Sequence, residues 1–259
     1  MKRNTGIILT FGIIVLTIAL DFVPNAALED LIFSTASYIV IAILLWIEIN
    51  HLEDFHFDRF SLVIFVVFGT ILRRRFGVAG EIYFMIATWT ASLSILATLL
   101  FKRQKVTATN YRWLWIGLIT SLPIMLIVVV LTSKSPLIPG VSWMPYPSNN
   151  LVLASIREIV YRFSFVAPLE ETIFRGFLWG YLRRLGWYEH RTFWAQAVLF
   201  WVLHFPKLFY SPIQFFIVIP IITLFFSLLV KYSKQLLPSI IGHTIINAIG
   251  PVVQYAYFK

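Results

Sequence analysis

Seven apolar runs divide the chain, over residues 6–20, 31–49, 77–101, 113–132, 192–205, 213–230 and 236–258. A helix needs about 20 mostly apolar residues to cross the hydrocarbon core of a bilayer, and most of these runs approach or reach that length. A shorter run, 60–72, reads as a tilted partial span or a re-entrant piece. A further stretch, 151–185, is apolar but interrupted by Arg157, Glu158, Arg162, Glu170, Glu171 and Arg175. Taken as one crossing, it brings the expected total to about eight. The expectation is therefore an all-α polytopic membrane helix bundle forming a single integral membrane domain over 1–259. Its amino-terminal transmembrane helices fall in 1–132 and a helical core in 151–258.

Composition leaves few alternatives. Only 13% of residues are charged and 59% are hydrophobic, against about 25% charged in soluble domains, so a water-soluble globule could not cover its apolar surface. With 24 Phe, 9 Trp and no Cys, disorder and a disulfide framework are excluded, as are thiol catalysis and thiolate metal ligands. The net charge of +9 fits basic cytoplasmic loops rather than nucleic-acid binding. An amino-terminus on the cytoplasmic side places Lys102, Arg103, Lys105, Arg112, Arg183, Arg184, Arg191, Lys231 and Lys234 inside, and the acidic Asp21, Glu29 and Asp30 outside. Arg73, Arg74 and Arg75 violate that pattern, unless they sit in the interface or 60–72 does not cross. Lys2 and Arg3 precede the first run as in a signal peptide, but no small-residue cleavage site follows, so an uncleaved first span is expected. The lipid bilayer is the one partner composition demands, and the short loops and amino-terminus point to a prokaryotic plasma membrane.

Ionisable groups inside apolar spans cost about 2.5–3.5 kcal/mol each at a helix centre and so mark candidate sites. Glu48 and Glu81 lie at span ends and read as interfacial. Arg157, Glu158 and Arg162 lie opposite an apolar face of Leu151, Leu153, Ile156, Ile159, Val160 and Phe163. They read as a solvated or headgroup-facing stripe, with Glu158 and Arg162 paired four apart. Ser142, in a Pro-rich loop, reads as a turn residue.

Three later clusters are different. In Pro168-Leu-Glu-Glu-Thr-Ile-Phe-Arg175, Glu171 and Arg175 lie about 40° apart on a helix and pair, while Glu170 points about 100° away from Glu171 toward another helix. Pro168 suits a first helical turn. Phe200-x-x-x-His204 follows, then His243-x-x-x-Asn247, which sets an imidazole and a carboxamide one turn apart. Each alone could be an ion pair or interhelical hydrogen-bonding glue. Together they place two of five histidines, a carboxylate pair and an Asn on successive helices. Gly176 and Gly180 offer a small-xxx-small surface for close helix approach. Packing these helices would bring Glu170, His204, His243 and Asn247 to one dry pocket suited to acid–base chemistry.

This ordered triple resembles the CPBP family, the CAAX prenyl endopeptidases and bacteriocin-processing (Abi) intramembrane proteases, whose pattern is EExxxR, then FxxxH, then HxxxN or HxxxD. The resemblance covers 168–250. It implies about eight helices around an intramembrane cavity and hydrolysis of a peptide bond in a membrane-associated, prenylated or leader peptide. Glu170 would be the general base on water, with His204 holding that water. His243 and Asn247 would stabilise the oxyanion, and Glu171, Arg175 and Phe200 would support them. No cofactor is implied on this reading. The family has also been read as zinc-dependent, with Glu170, His204 and His243 as ligands, but HExxH is absent and the sequence offers no obvious carboxylate to orient either histidine. A transporter, and a non-catalytic peptide-binding or immunity protein, are the alternatives from other classes.

Overall fold

The computed structural model describes residues 2–20, 26–69, 81–101, 108–133 and 151–258. Every regular element among them is a helix. The amino-terminal part comprises α1 (Lys2–Leu20), α2 (Ala26–Ile47), a 3-10 segment (Ile49–Phe55), α3 (Arg59–Gly69), α4 (Glu81–Phe101) and α5 (Tyr111–Thr132). The later part opens with one continuous helical rod made of α6 (Leu151–Tyr161), a π segment (Arg162–Val166), α7 (Ala167–Glu171), a second π segment (Thr172–Leu178) and α8 (Trp179–Arg184). Then come α9 (Glu189–Leu203), α10 (Lys207–Tyr210), a third π segment (Gln214–Val218), α11 (Ile219–Ser233) and α12 (Leu237–Phe258).

Among the described residues, Tyr111–Thr132 and Gln214–Ser233 are each long and apolar enough to cross a membrane. A third span results if Thr35–Ile47 and Ile49–Phe55, bent by 110°, count as one. Of the run expected at 60–72, α3 covers Arg59–Gly69. The triplet at 73–75, the basic residues 102, 103 and 105, and Ser142 lie outside the described residues, as do the acidic residue at 21 and the side chains of Glu29, Asp30 and Glu81.

The surface is inverted relative to a soluble protein. On α5, Trp115, Ile119 and Val130 are exposed while Ser121 and Thr132 are buried. Several hydroxyls satisfy themselves within their own helices: Thr10 donates to the Gly6 carbonyl at 2.9 Å, Thr90 to Ile86 at 2.7 Å and Thr132 to Val128 at 2.8 Å. Such bonds are needed where no water is available. The same inversion corrects the stripe reading of α6. Its apolar residues Leu151, Ile156 and Val160 face outward, whereas Glu158 is buried and meets Arg162 Nε at 3.5 Å. Glu158 is not solvated, because it lies on the inward face of α6 opposite the exposed apolar residues.

Two of the π segments run into prolines. Pro168 has no N–H, and its ring would collide with the carbonyl four residues back. The wider turn relieves this, and the Ala167 N–H reaches back five residues to Arg162. Before Pro220 the Ile219 N–H reaches back to Gln214 in the same way.

The two parts of the chain are held together at a short bridge. Ser61 Oγ accepts from the Asp58 N–H at 3.1 Å, and Asp58 Oδ1 accepts from the N–H groups of Phe60 and Ser61 at 3.0 and 3.1 Å, closing a reciprocal cap on α3. Asp58 Oδ1 also accepts from the Thr109 hydroxyl at 2.9 Å, and Oδ2 from the Leu237 N–H at 3.2 Å. The neighbouring His56 carbonyl accepts from the Leu236 N–H at 2.9 Å. One carboxylate thus begins both α3 and α12. Next to it Gly176 and Gly180 do provide a close approach, but to the 3-10 segment rather than to another long span. A Cβ on Gly180 would run into the Phe55 ring and lie 3.1 Å from the Asp54 carbonyl. Phe55, Phe57, Phe177 and Tyr181 pack here into the larger of two apolar cores. Glu48 also belongs here. It is buried, accepting from the Tyr181 hydroxyl at 3.0 Å and from Arg184 at 2.6 Å, so it serves as a structural anion.

Candidate active site

The rod delivers two carboxylates in consecutive positions to the bundle interior. Glu171 and Arg175 are both wholly buried, and Arg175 Nη1 donates to Glu171 Oε1 at 3.2 Å. The guanidinium is sandwiched by aromatic rings, 4.2 Å from the Phe200 centroid and 5.8 Å from that of Phe226, and its Nη2 donates to the Thr223 carbonyl at 3.4 Å. Ring faces and a carboxylate together replace the water a guanidinium otherwise keeps.

Glu170 turns the other way and is 16% exposed. Its Oε2 lies 3.6 Å from Nε2 of His243 on α12, close but beyond hydrogen-bonding length. The Nδ1 of the same ring bonds to Glu171 Oε1 at 2.8 Å. Adjacent carboxylates therefore address the two nitrogens of one imidazole. Phe226 stacks on that ring at 4.8 Å and 19°, and Phe200 meets it edge-on at 6.4 Å. The sequence alone suggested no carboxylate partner for either histidine; Glu171 is one for His243.

His204 reaches the site from α9, as the residue on which that helix ends. The end is local chemistry: Phe205 precedes Pro206, and a residue before proline is turned away from helical geometry. His204 Nδ1 lies 2.9 Å from the Phe200 carbonyl, and its ring packs at 4.8 Å on Phe200. A carbonyl only accepts, so Nδ1 carries the proton and a neutral His204 offers a lone pair at Nε2. For His243 the carboxylate on Nδ1 likewise requires an N–H there. Its Nε2 can then donate to a third group only as the imidazolium. Asn247 follows one turn after His243, partly buried. Pro251, one turn further on, has no N–H to return to the Asn247 carbonyl.

The structure thus gathers Glu170, Glu171, Arg175, Phe200 and His243 in direct contact and seats His204 against Phe200. Among the motif histidines it is His243 whose ring nitrogen lies nearest Glu170, at 3.6 Å. Phe226 and Thr223 belong to the same cluster and carry no motif; an aromatic in an apolar span gives no sequence signal. Among the described residues, no three His, Asp or Glu side chains are grouped closely enough to hold a metal ion.

Residues 152–249 match the family model described as type II CAAX prenyl endopeptidase Rce1-like. The matched stretch contains all three motifs and agrees with the family resemblance they carry. No curated protein and no solved structure matches the chain.

Proposed function

We propose that the chain is an intramembrane endopeptidase of the CAAX-processing type, in a multi-pass bundle of about eight membrane crossings around a cavity that admits a membrane-associated, prenylated or leader peptide. A prokaryotic plasma membrane is the proposed location. The observation that carries this reading is the pair of consecutive carboxylates on one imidazole, with Glu171 committed to Arg175 and His243 and Glu170 left for a reacting group.

In this mechanism a water lies between Glu170 and the Nε2 lone pair of His204. Glu170 takes its proton as the oxygen attacks the scissile carbonyl carbon, and the C=O electron pair moves onto oxygen. The His243 Nε2–H and the Asn247 carboxamide donate to that oxyanion, each such donor being worth about 10²–10³ in rate. Glu170 then gives its proton to the leaving amine as the C–N bond breaks, returning to the carboxylate. Glu171 keeps the Nδ1–H of His243 in place. Arg175 offsets the second negative charge, and Phe200 separates the two imidazoles. No step runs through a metal.

The test is cleavage of a prenylated reporter peptide by the purified protein in liposomes. Glu170→Gln and His204→Ala are expected to lower kcat by at least about 10²-fold while Phe209→Ala, at an exposed position, leaves it unchanged. Equal turnover by wild type and both site variants removes the enzyme reading. Activity that follows one equivalent of zinc after chelator treatment replaces this mechanism with a metal-dependent one.

A further inference from the structure

Behind the ion pair runs a chain of buried polar groups that the reaction does not use. Gln196 on α9 and Ser227 on α11 are both wholly buried. Gln196 Nε2 donates to the Phe193 carbonyl at 3.0 Å and to Ser227 Oγ at 2.7 Å. Ser227 Oγ donates to the Thr223 carbonyl at 2.7 Å, the same carbonyl that receives Arg175 Nη2. From Arg175 the chain continues through Glu171 to His243.

Proton counting fixes the direction of each bond. A carbonyl has no proton, so the single Ser227 proton goes to Thr223. Ser227 must then accept from Gln196, whose two N–H groups are both consumed. Gln196 Oε1 is left buried without a partner, so the amide is held here by its donors alone. Because both side chains are wholly buried, a slip of α9 by one residue would turn Gln196 about 100° and strand both donors and the Ser227 lone pair. Gln196, Phe200 and His204 are spaced by four and share one face of α9. What holds Gln196 in register therefore holds His204.

We propose that Gln196 and Ser227 are positioning residues for catalysis. Their hydrogen bond locks α9 to α11, and with it the placement of His204 relative to the Arg175–Glu171–His243 relay. The proposal rests on the reading of the site as a peptidase. Misplacement of a reacting group by about 1 Å costs about 10²-fold in rate, so the effect falls on kcat rather than on KM.

The experiment compares Ser227→Ala, Gln196→Leu, the double variant and Ser227→Thr, using the liposome cleavage assay and NMR of protein carrying isotope-labelled histidine. Ser227→Ala and Gln196→Leu are expected to lower kcat about 10- to 100-fold with KM within about twofold. The double variant should be no worse than the poorer single one, since the two act as a unit. Ser227→Thr, which keeps the hydroxyl, should restore most of the rate. The His204 and His243 imidazole signals should shift in the Ala and Leu variants and return in Ser227→Thr. Unchanged kcat, singles that multiply in the double variant, or unmoved imidazole signals in an active enzyme each overturn the proposal. A wild type that cleaves nothing while these signals still respond removes the peptidase reading and leaves the register lock standing.

Discussion

Glu171 and Arg175 give the most quantitative test of how this bundle tolerates charge in its interior. Both side chains have no exposure, and among the described residues Glu171 Oε1 is the one carboxylate oxygen that bonds the guanidinium. In Glu171→Gln the carboxamide oxygen can still accept from Arg175 Nη1 or His243 Nδ1, but the counter-charge is gone. Arg175 then keeps the Thr223 carbonyl at 3.4 Å and the Phe200 ring at 4.2 Å. Breaking a buried pair from one side costs about 3–5 kcal/mol, and the surviving contacts place this variant near the lower figure, about 3 kcal/mol. Arg175→Met strands Glu171 with His243 alone and is expected to cost a similar amount. In the double variant neither charge is left uncompensated, so its loss should stay near that of one single change. The coupling energy is then about 3 kcal/mol. Thermal unfolding in mild detergent reads this as a drop of roughly 6–12 °C for each single variant, with no further drop in the double. Additive losses in the double variant would refute the argument, because they would mean the two charges are stabilised independently.

Three further outcomes are expected. Asp58→Ala should lower stability by about 3–4 kcal/mol because it uncaps α3 and α12 together, whereas Asp58→Asn, which retains an acceptor for the α3 cap, should lose about half as much; equal losses in thermal unfolding would contradict the double cap. Gly117→Ala should destabilise by about 1–3 kcal/mol, since its Cβ would lie 2.7 Å from the Pro238 carbonyl oxygen where α5 and α12 cross; an unchanged melting temperature would contradict this. In the turn between the 3-10 segment and α3, burial beside Arg183 and Lys234 pushes His56 down to about 4 from its usual 6.5. An unfolded chain therefore takes up a proton there before the folded one does. Stability from this group is complete above about pH 6.5 and is lost as pH falls toward 4, by up to about 3 kcal/mol. His56 has a φ of 61°, which Asn adopts readily, so melting of His56→Asn across this range should depend less on pH than that of the wild type.

Much of the core of the site was legible because its residues sit at helical spacings in segments where charge is otherwise excluded. Glu171 and Arg175 could be paired from their separation of four, and Gly176 and Gly180 could be read as a close-approach surface. Which element would fill that surface was not legible, since nothing in the residues 49–55 marks them as a bent 3-10 turn that tucks Phe55 against the rod. The Glu171–His243 bond escaped for a similar reason: one turn of α7 and one of α12 lie 72 residues apart and meet only in the folded bundle. Glu158 was misjudged by applying a water-facing rule to a helix whose outer side is apolar. Asp58 could have been found, because Asp58-x-x-Ser61 ahead of an apolar run is a capping pattern, though its second role on α12 could not.

That second role bears on how the protein could be cut or recombined. The stretch 152–249 carries every motif side chain, yet the helix bearing His243 and Asn247 takes its first hydrogen bonds from Asp58 and His56. A truncated protein beginning at 151, or a chimaera with a foreign front half, would inherit the chemistry and lose the peg from which one of its key helices hangs. A transplant that keeps that peg must carry His56 and Asp58 along with the later segment.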